Sequence, residues 1–481
     1  MLFNSYLFIL LFLPLIVLGF YLIGSRGSKN FSTIYLIGAS FLFYGWWNPN
    51  YLLLLVSSIV FNYKLGNVLS GNLRQGRKLV FIFGIAANLG AIGYFKYANF
   101  FIDTLTYISG SSFHINQIVL PLAISFFTFQ QIAFLVDVYK RETKSYDFLD
   151  YCLFVSFFPQ LVAGPIVQHN EIIPQFKKSI FKKINYENIA SGLVFFIMGL
   201  LKKVAIADSL APFATTVFSG TEGTTFTFFD AWIGALAYTS QLYFDFSGYS
   251  DMAIGIALMF GLKLPYNFNS PYKALNIIDF WKQWHITLSR FLKDYLYIPL
   301  GGNRKGKNRR YVNLMITMLL GGLWHGAGWT FVIWGGLHGF YLFINHLWRE
   351  TNSLRKRKIV IPVAVSRLIT FGAIVIAWVF FRAENVSSAF DILFAMFGGN
   401  GFGNSLNIKE LSVLIVVLSF LFYAPNTQEV VTKLFDTTKR RQRVIDYIIQ
   451  PNALTGVFFG VLLFTAVIML EKYSEFLYFQ F

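Results

Sequence analysis

Uncharged runs long enough to cross a lipid bilayer recur along this 481-residue chain, and they constrain its fold more than any other feature. Met1 to Ser25 contains no Asp, Glu, Lys or Arg, and neither does Phe31 to Tyr63. Tyr311 to Trp348 continues for 38 residues without one. A helix needs about 20 apolar residues to span the hydrocarbon core, whereas a barrel strand needs only about 10. Backbone N–H and C=O groups in that medium must be satisfied within the segment, so runs of this length predict helices. The fold class expected is all-α: a polytopic transmembrane bundle. Composition agrees, because only 13% of residues are charged where a soluble domain carries about 25%. So few charges cannot cover a water-facing surface, and the lipid bilayer is the first partner implied.

The 40 basic and 23 acidic residues leave a formal net charge of +17. The positives fall in short clusters between apolar runs: Arg74–Lys78, Lys177–Lys183, Lys202–Lys203, Arg304–Arg310, Arg355–Lys358 and Lys439–Arg443. Such clusters mark the cytoplasmic side of membrane proteins. None accompanies a DNA- or RNA-reading motif, so no nucleic acid is expected as a partner. Cys152 is the single cysteine, which excludes an internal disulfide and a cysteine-based metal site. Arg26 and Lys29 follow the first apolar run rather than precede it, the reverse of a signal peptide. A retained first helix with its N-terminus on the outer side is expected, with the C-terminus also outside.

Phe31 to Tyr63 reads as a hairpin turned at Asn48-Pro49-Asn50, and Leu79 to Phe95 as one span. Thr104 to Val136 is uncharged and interrupted by Pro121. Tyr151 to Gln168 carries Pro159, Gly164 and Pro165, which predicts a broken or re-entrant segment. Further spans are expected near 188–206, 229–246, 252–264, 311–347 (two passes), 359–381, 409–424 and 452–470, roughly ten to twelve in all. No soluble domain, repeat or low-complexity linker interrupts them, so residues 1–481 read as a single membrane domain. In Ile277 to Pro299, Trp281, Trp284, His285, Leu288, Phe291 and Leu292 recur at helical spacing among Lys282, Arg290, Lys293 and Asp294. That predicts an amphipathic helix, lying in the interface or lining a polar cavity.

His325 is the leading candidate for chemistry. It lies 15 residues past Arg310, about 22 Å along a helix rising 1.5 Å per residue. That depth is well inside a core about 30 Å thick, where ionisable groups are rare and usually functional. Gly321, Gly322, Gly326 and Gly328, with Trp324 and Trp329, surround it in sequence and are expected to leave room beside the ring. Burial disfavours the imidazolium, and a neutral imidazole is what a general base requires. The alternative is a packing histidine bonded to a neighbouring helix. His285 is the second candidate, with an interfacial histidine beside Trp284 as its alternative. His338 and His346 read as packing or interfacial, and His114 and His169 have no chemical context in sequence. Asp245 and Asp251 form either an acid pair or caps and ion-pair partners. There is no phosphate-binding Gly-Lys-Ser/Thr loop, no Gly-x-Ser-x-Gly elbow and no His-Glu-x-x-His helix.

Four stretches together carry a resemblance. They are Phe158-Pro159-Gln160-Leu161-Val162-Ala163-Gly164-Pro165-Ile166; Asp245-Phe246-Ser247-Gly248-Tyr249-Ser250-Asp251-Met252-Ala253; Phe280 to Arg290 continuing through Tyr297 to Arg304; and Leu323-Trp324-His325-Gly326-Ala327-Gly328-Trp329. In these the chain resembles the membrane-bound O-acyltransferases, and among them the alginate O-acetylation branch. The resemblance spans most of the chain, with the core motifs at 150–350 and additional C-terminal helices at 385–481. It implies re-entrant or interfacial helices around a central funnel. His325 would be the catalytic histidine and His285 its polar companion there, with Trp324, Trp329, Trp284, Asp245, Asp251 and Arg290 as further funnel candidates. It implies acyl transfer from a thioester, acetyl-CoA from the cytoplasm in this branch, with no bound cofactor. The acetyl group would pass toward an exported polysaccharide, with a soluble periplasmic or extracellular acetyltransferase as partner.

Two other readings compete. A sister branch resembles the chain at both histidine motifs and transfers D-alanine from a carrier protein toward teichoic acids. Its members tend to be shorter, so the helices after about residue 385 favour the acetylation branch. A transporter or flippase with His325 in a proton path is the other, although the uncharged 311–348 hairpin lacks the several intramembrane charges usual there. The aromatic tail Glu475 to Phe481 is read as interfacial, with insertion beside a partner as the alternative.

Overall fold

The computed structural model describes residues 1–26, 29–71, 75–110, 116–177, 184–220, 225–403, 408–435, 451–471 and 476–477. His114, Arg74, Lys439–Arg443, most of Lys177–Lys183 and most of the aromatic tail lie outside the described residues. Among those described, the regular secondary structure is entirely helical, and the chain forms an all-α polytopic membrane protein. Among the described residues, five helices are long and apolar enough to cross a membrane, or six if the bent pair Ile408–Tyr423 and Thr427–Phe435 is one span. Two compact units arise: Met1–Leu200 with Tyr249–Pro265 and Val431–Glu475, and Leu201–Gly248 with Tyr266–Val430 and Phe476–Phe481.

In the first unit the expected hairpin is present as helices Lys29–Gly45 and Pro49–Ser70. Asn48 caps the second, its side chain accepting from Asn50 N at 3.0 Å, and Pro49 occupies the first helical turn. Buried Asn62 and Asn88 exchange hydrogen bonds of 3.2 and 2.7 Å, tying Pro49–Ser70 to Arg77–Ile92 without a water-driven hydrophobic effect. The segment with Pro159 and Pro165 is broken as expected: helix Phe148–Ser156, the single turn Phe158–Leu161, then irregular chain before His169. His169, without context in sequence, gains one here. Its Nε2 lies 2.9 Å from an Asp137 carboxylate oxygen and its Nδ1 2.9 Å from the Tyr146 hydroxyl, with the ring fully enclosed. Asp137→Leu leaves that ring without its charged partner. The expected loss is about 1–3 kcal/mol, read as a lower melting temperature of the purified protein.

Two expectations are corrected. Residues 229–246 and 252–264 are not two spans, because Phe228–Met259 is one 32-residue helix. No proline interrupts it, and Ser and Gly are tolerated inside membrane helices, so Ser247-Gly248 does not break it. Ile277 to Pro299 is not one helix either. Ile277–Trp281 ends, and Ile286–Leu292 begins after His285 adopts a left-handed backbone at φ 42°.

The 311–347 hairpin forms as helices Lys307–His325 and Trp329–Ser353, turned at Gly326 to Gly328. Its close approach needs glycine. A Cβ on Gly322 would collide with Phe331 O, and one on Gly335 with Met318 O. Gly335→Val therefore forces the helices apart, and a loss of folded protein in detergent of about 1–3 kcal/mol or more is expected.

Candidate functional site

The hairpin turn places His325 as the last residue of its helix, 6% exposed. Its ring is packed by Trp324 at 4.9 Å, Trp334 at 5.1 Å and Phe381 at 5.3 Å between centroids. The His285 ring stands 6.2 Å away, and Trp324 touches both histidines. The two histidines singled out from sequence are thus brought together in one enclosed aromatic cluster.

The break that carries His285 is held by Asn267. Asn267 O accepts from Ile286 N at 2.9 Å, and its Oδ1 accepts from Thr287 Oγ1 at 2.9 Å and from His285 Nδ1 at 3.0 Å. A left-handed non-glycine residue costs on the order of 1–3 kcal/mol and persists only where its surroundings enforce it. An amide oxygen is acceptor only, so Nδ1 carries the hydrogen and Nε2 keeps the lone pair. Phe246 meets the ring edge-on at 4.9 Å. The His285 ring is fully buried.

Asp245 is engaged in an ion pair. Lys203 Nζ lies 2.6 Å from its Oδ1 and 2.9 Å from Asp208, while Leu477 N donates to Asp245 Oδ2 at 3.1 Å. The Phe476 ring lies 4.8 Å from the ammonium. Asp245 therefore anchors the helix that presents Phe246 to His285. Lys203→Met abandons a buried carboxylate, and a destabilisation of about 3–5 kcal/mol is expected in thermal unfolding. Asp251, buried, belongs to the first unit whereas both histidines belong to the second. Trp284 is buried against Phe268 at 5.0 Å and Trp378 at 4.9 Å. Arg290 is half-buried on Ile286–Leu292, and Trp329 is 54% exposed at the start of its helix.

Gly326, next to His325, does not leave the room expected of it. A Cβ on Gly326 would run into the Phe331 ring, so that residue fills the space. Trp334, Phe381 and Asn267 were not singled out from sequence. Trp334 lies in Trp334-Gly335-Gly336-Leu337-His338, where a helical turn also brings His338 to 4.8 Å from it. Among the described residues no three His, Cys, Asp or Glu side chains gather as a metal site requires.

The sequence profile of the MBOAT, membrane-bound O-acyltransferase family, matches residues 138–382. That stretch contains both histidines, Asn267, Trp334 and Phe381. The chain belongs to this family. It is a multi-pass membrane acyltransferase, which sets the transporter reading aside. The peptidoglycan O-acetyltransferase of Helicobacter pylori 26695 is 48% identical to this acyltransferase over 461 residues, 89% of this chain and 86% of that protein. The probable alginate O-acetylase AlgI of Pseudomonas aeruginosa PAO1 is 42% identical over 438 residues, 88% of this chain and 81% of that protein. The teichoic acid D-alanyltransferase of Streptococcus thermophilus is 28% identical over 285 residues, 54% of this chain and 68% of that protein.

Proposed function

We propose that this acyltransferase moves an acetyl group from cytoplasmic acetyl-coenzyme A to hydroxyls of an exported polysaccharide, across a bacterial inner membrane. The whole chain works as one membrane domain. The acetyl group reaches the glycan directly or through a soluble periplasmic or extracellular acetyltransferase. The adjacency of two enclosed imidazoles, His325 and His285 at 6.2 Å, carries the reading.

His325 acts as general base: it takes the proton of the attacking hydroxyl as that oxygen bonds to the thioester carbonyl carbon. The tetrahedral oxyanion collapses, the carbon–sulfur bond breaks, and the thiolate leaves with the proton from His325. His285, its ring fixed by Asn267, positions the acceptor sugar by accepting at its Nε2 lone pair from a hydroxyl next to the attacking one. Trp334 supplies the hydrogen bond to the oxyanion. Its indole is 1% exposed, its Nε1–H has no hydrogen-bond partner among the described residues, and its ring lies 5.1 Å from His325. The neighbouring Trp378 Nε1–H is already committed to Tyr272 Oη at 3.0 Å. A preorganised donor in a water-poor site is the largest single contributor to many acyl transfers.

D-alanyl transfer toward teichoic acid is the second reading, favoured by the likeness to the streptococcal D-alanyltransferase. It uses the same thioester-to-hydroxyl chemistry. The experiment that separates them is mass spectrometry of the ester groups on exported glycans, in a strain lacking the gene and the same strain carrying it. Gain of acetyl esters on complementation is expected. Gain of alanyl esters instead would replace the first reading with the second.

A further inference from the structure

A groove of about 510 Å³ opens in the second unit between Asn276-Ile277, the helix Trp329–Ser353 and the helix Val363–Arg382. Its size falls in the ordinary range of ligand sites. Ile277, Ile344, Ile361 and Ile369 make its walls apolar. One end is polar. Arg349 lines it and is braced there, its Nη2 donating to Asn276 Oδ1 at 3.1 Å. A guanidinium has five donors, so this brace leaves the fork able to engage an anion. Asn345 also lines the groove, and its Oδ1 is buried without a hydrogen-bond partner among the described residues. Buried acceptors are nearly always satisfied, so Asn345 Oδ1 calls for a donor that the described residues do not provide. Arg355, Lys356, Arg357 and Lys358 follow on exposed chain.

We infer that this groove holds one anionic phospholipid. Its phosphate would sit on Arg349, a headgroup hydroxyl would donate to Asn345 Oδ1, and an acyl chain would lie along the isoleucine walls. Charge complementarity selects this occupant. Clustered Lys and Arg draw anionic lipids to a membrane surface, and Glu350, the acid next to Arg349, is already paired with Lys307. The nearby Asp279 receives Asn276 Nδ2 and stands 3.5 Å from Lys282. The site abuts the aromatic cluster of the active site, because Tyr341 lines the groove and its ring lies 5.8 Å from His338. The lipid would thus brace the helix Trp329–Ser353, which presents both Trp334 and His338.

The test is native mass spectrometry of the full-length protein titrated with phosphatidylglycerol or phosphatidylcholine. The variants are Arg349→Gln, Ile369→Trp to fill the groove, and Lys305→Gln as an exposed basic control. One tight phosphatidylglycerol adduct is expected for wild type and Lys305→Gln. Arg349→Gln should weaken it about five- to tenfold, and Ile369→Trp should remove it even if Arg349→Gln fails to fold. Inorganic phosphate at millimolar concentration should not displace the adduct, since it lacks the chains. An adduct unaffected by both variants would overturn the inference. So would stoichiometric displacement by acetyl-coenzyme A, which would give the groove to the thioester.

Discussion

Replacing His325 with Gln is expected to lower acetyl transfer by about 10²–10⁴-fold, the usual contribution of a general base. Gln keeps much of the ring's volume among Trp324, Trp334 and Phe381 but offers no basic nitrogen. Membrane abundance and melting temperature should therefore stay close to wild type while glycan O-acetyl content collapses. His325→Ala would remove the same base and also open a cavity. A further loss of stability is expected for Ala, about 2–5 kcal/mol as for other large-to-small core changes. The pair of variants separates chemistry from packing. Equal loss of activity with unequal stability identifies His325 as a reacting group. Loss of activity only where stability is also lost would return it to a packing role.

Trp334→Phe has the second largest expected effect. Phe keeps an aromatic ring within the cluster of His325, Trp378 and Phe381, but it has no N–H. Removing one oxyanion donor typically costs about 10²–10³ in kcat with little change in KM. The same change at Trp378, whose N–H is bonded to Tyr272, would leave that hydroxyl oxygen short of a donor. Trp378→Phe should then lower stability by about 1 kcal/mol without a comparable fall in kcat. Equal kcat losses for the two would contradict the role given to Trp334.

The parts of this molecule that were legible in the sequence are those governed by continuous local signals. Charge-free runs and the Asn48-Pro49 turn foretold the hairpins, because a bilayer allows few alternatives to a helix. His325 stood out because 15 residues of uncharged helix fix its depth. His285 was less legible. Its neighbours recur at helical spacing, and nothing local announces that the chain breaks there. The break depends on Asn267, 18 residues earlier, and a long-range hydrogen bond has no local periodicity. For the same reason the sequence allows Asp245 either an acid pair or an ion pair, and only the fold brings Lys203, 42 residues away, to it. Trp334 was passed over because an aromatic residue on an apolar helix is ordinary. Only its orphaned N–H beside His325 distinguishes it from Trp378.

The central claim is best tested by reconstituting the purified protein in liposomes with radiolabelled acetyl-coenzyme A, a glycan acceptor and a periplasmic extract that supplies any soluble acetyltransferase partner. Release of free thiol and formation of glycan ester would be measured for wild type and His325→Gln at equal protein. The account predicts thiol release matched one for one by acetyl ester in wild type, and neither above background in His325→Gln. Undiminished ester formation by His325→Gln would contradict it.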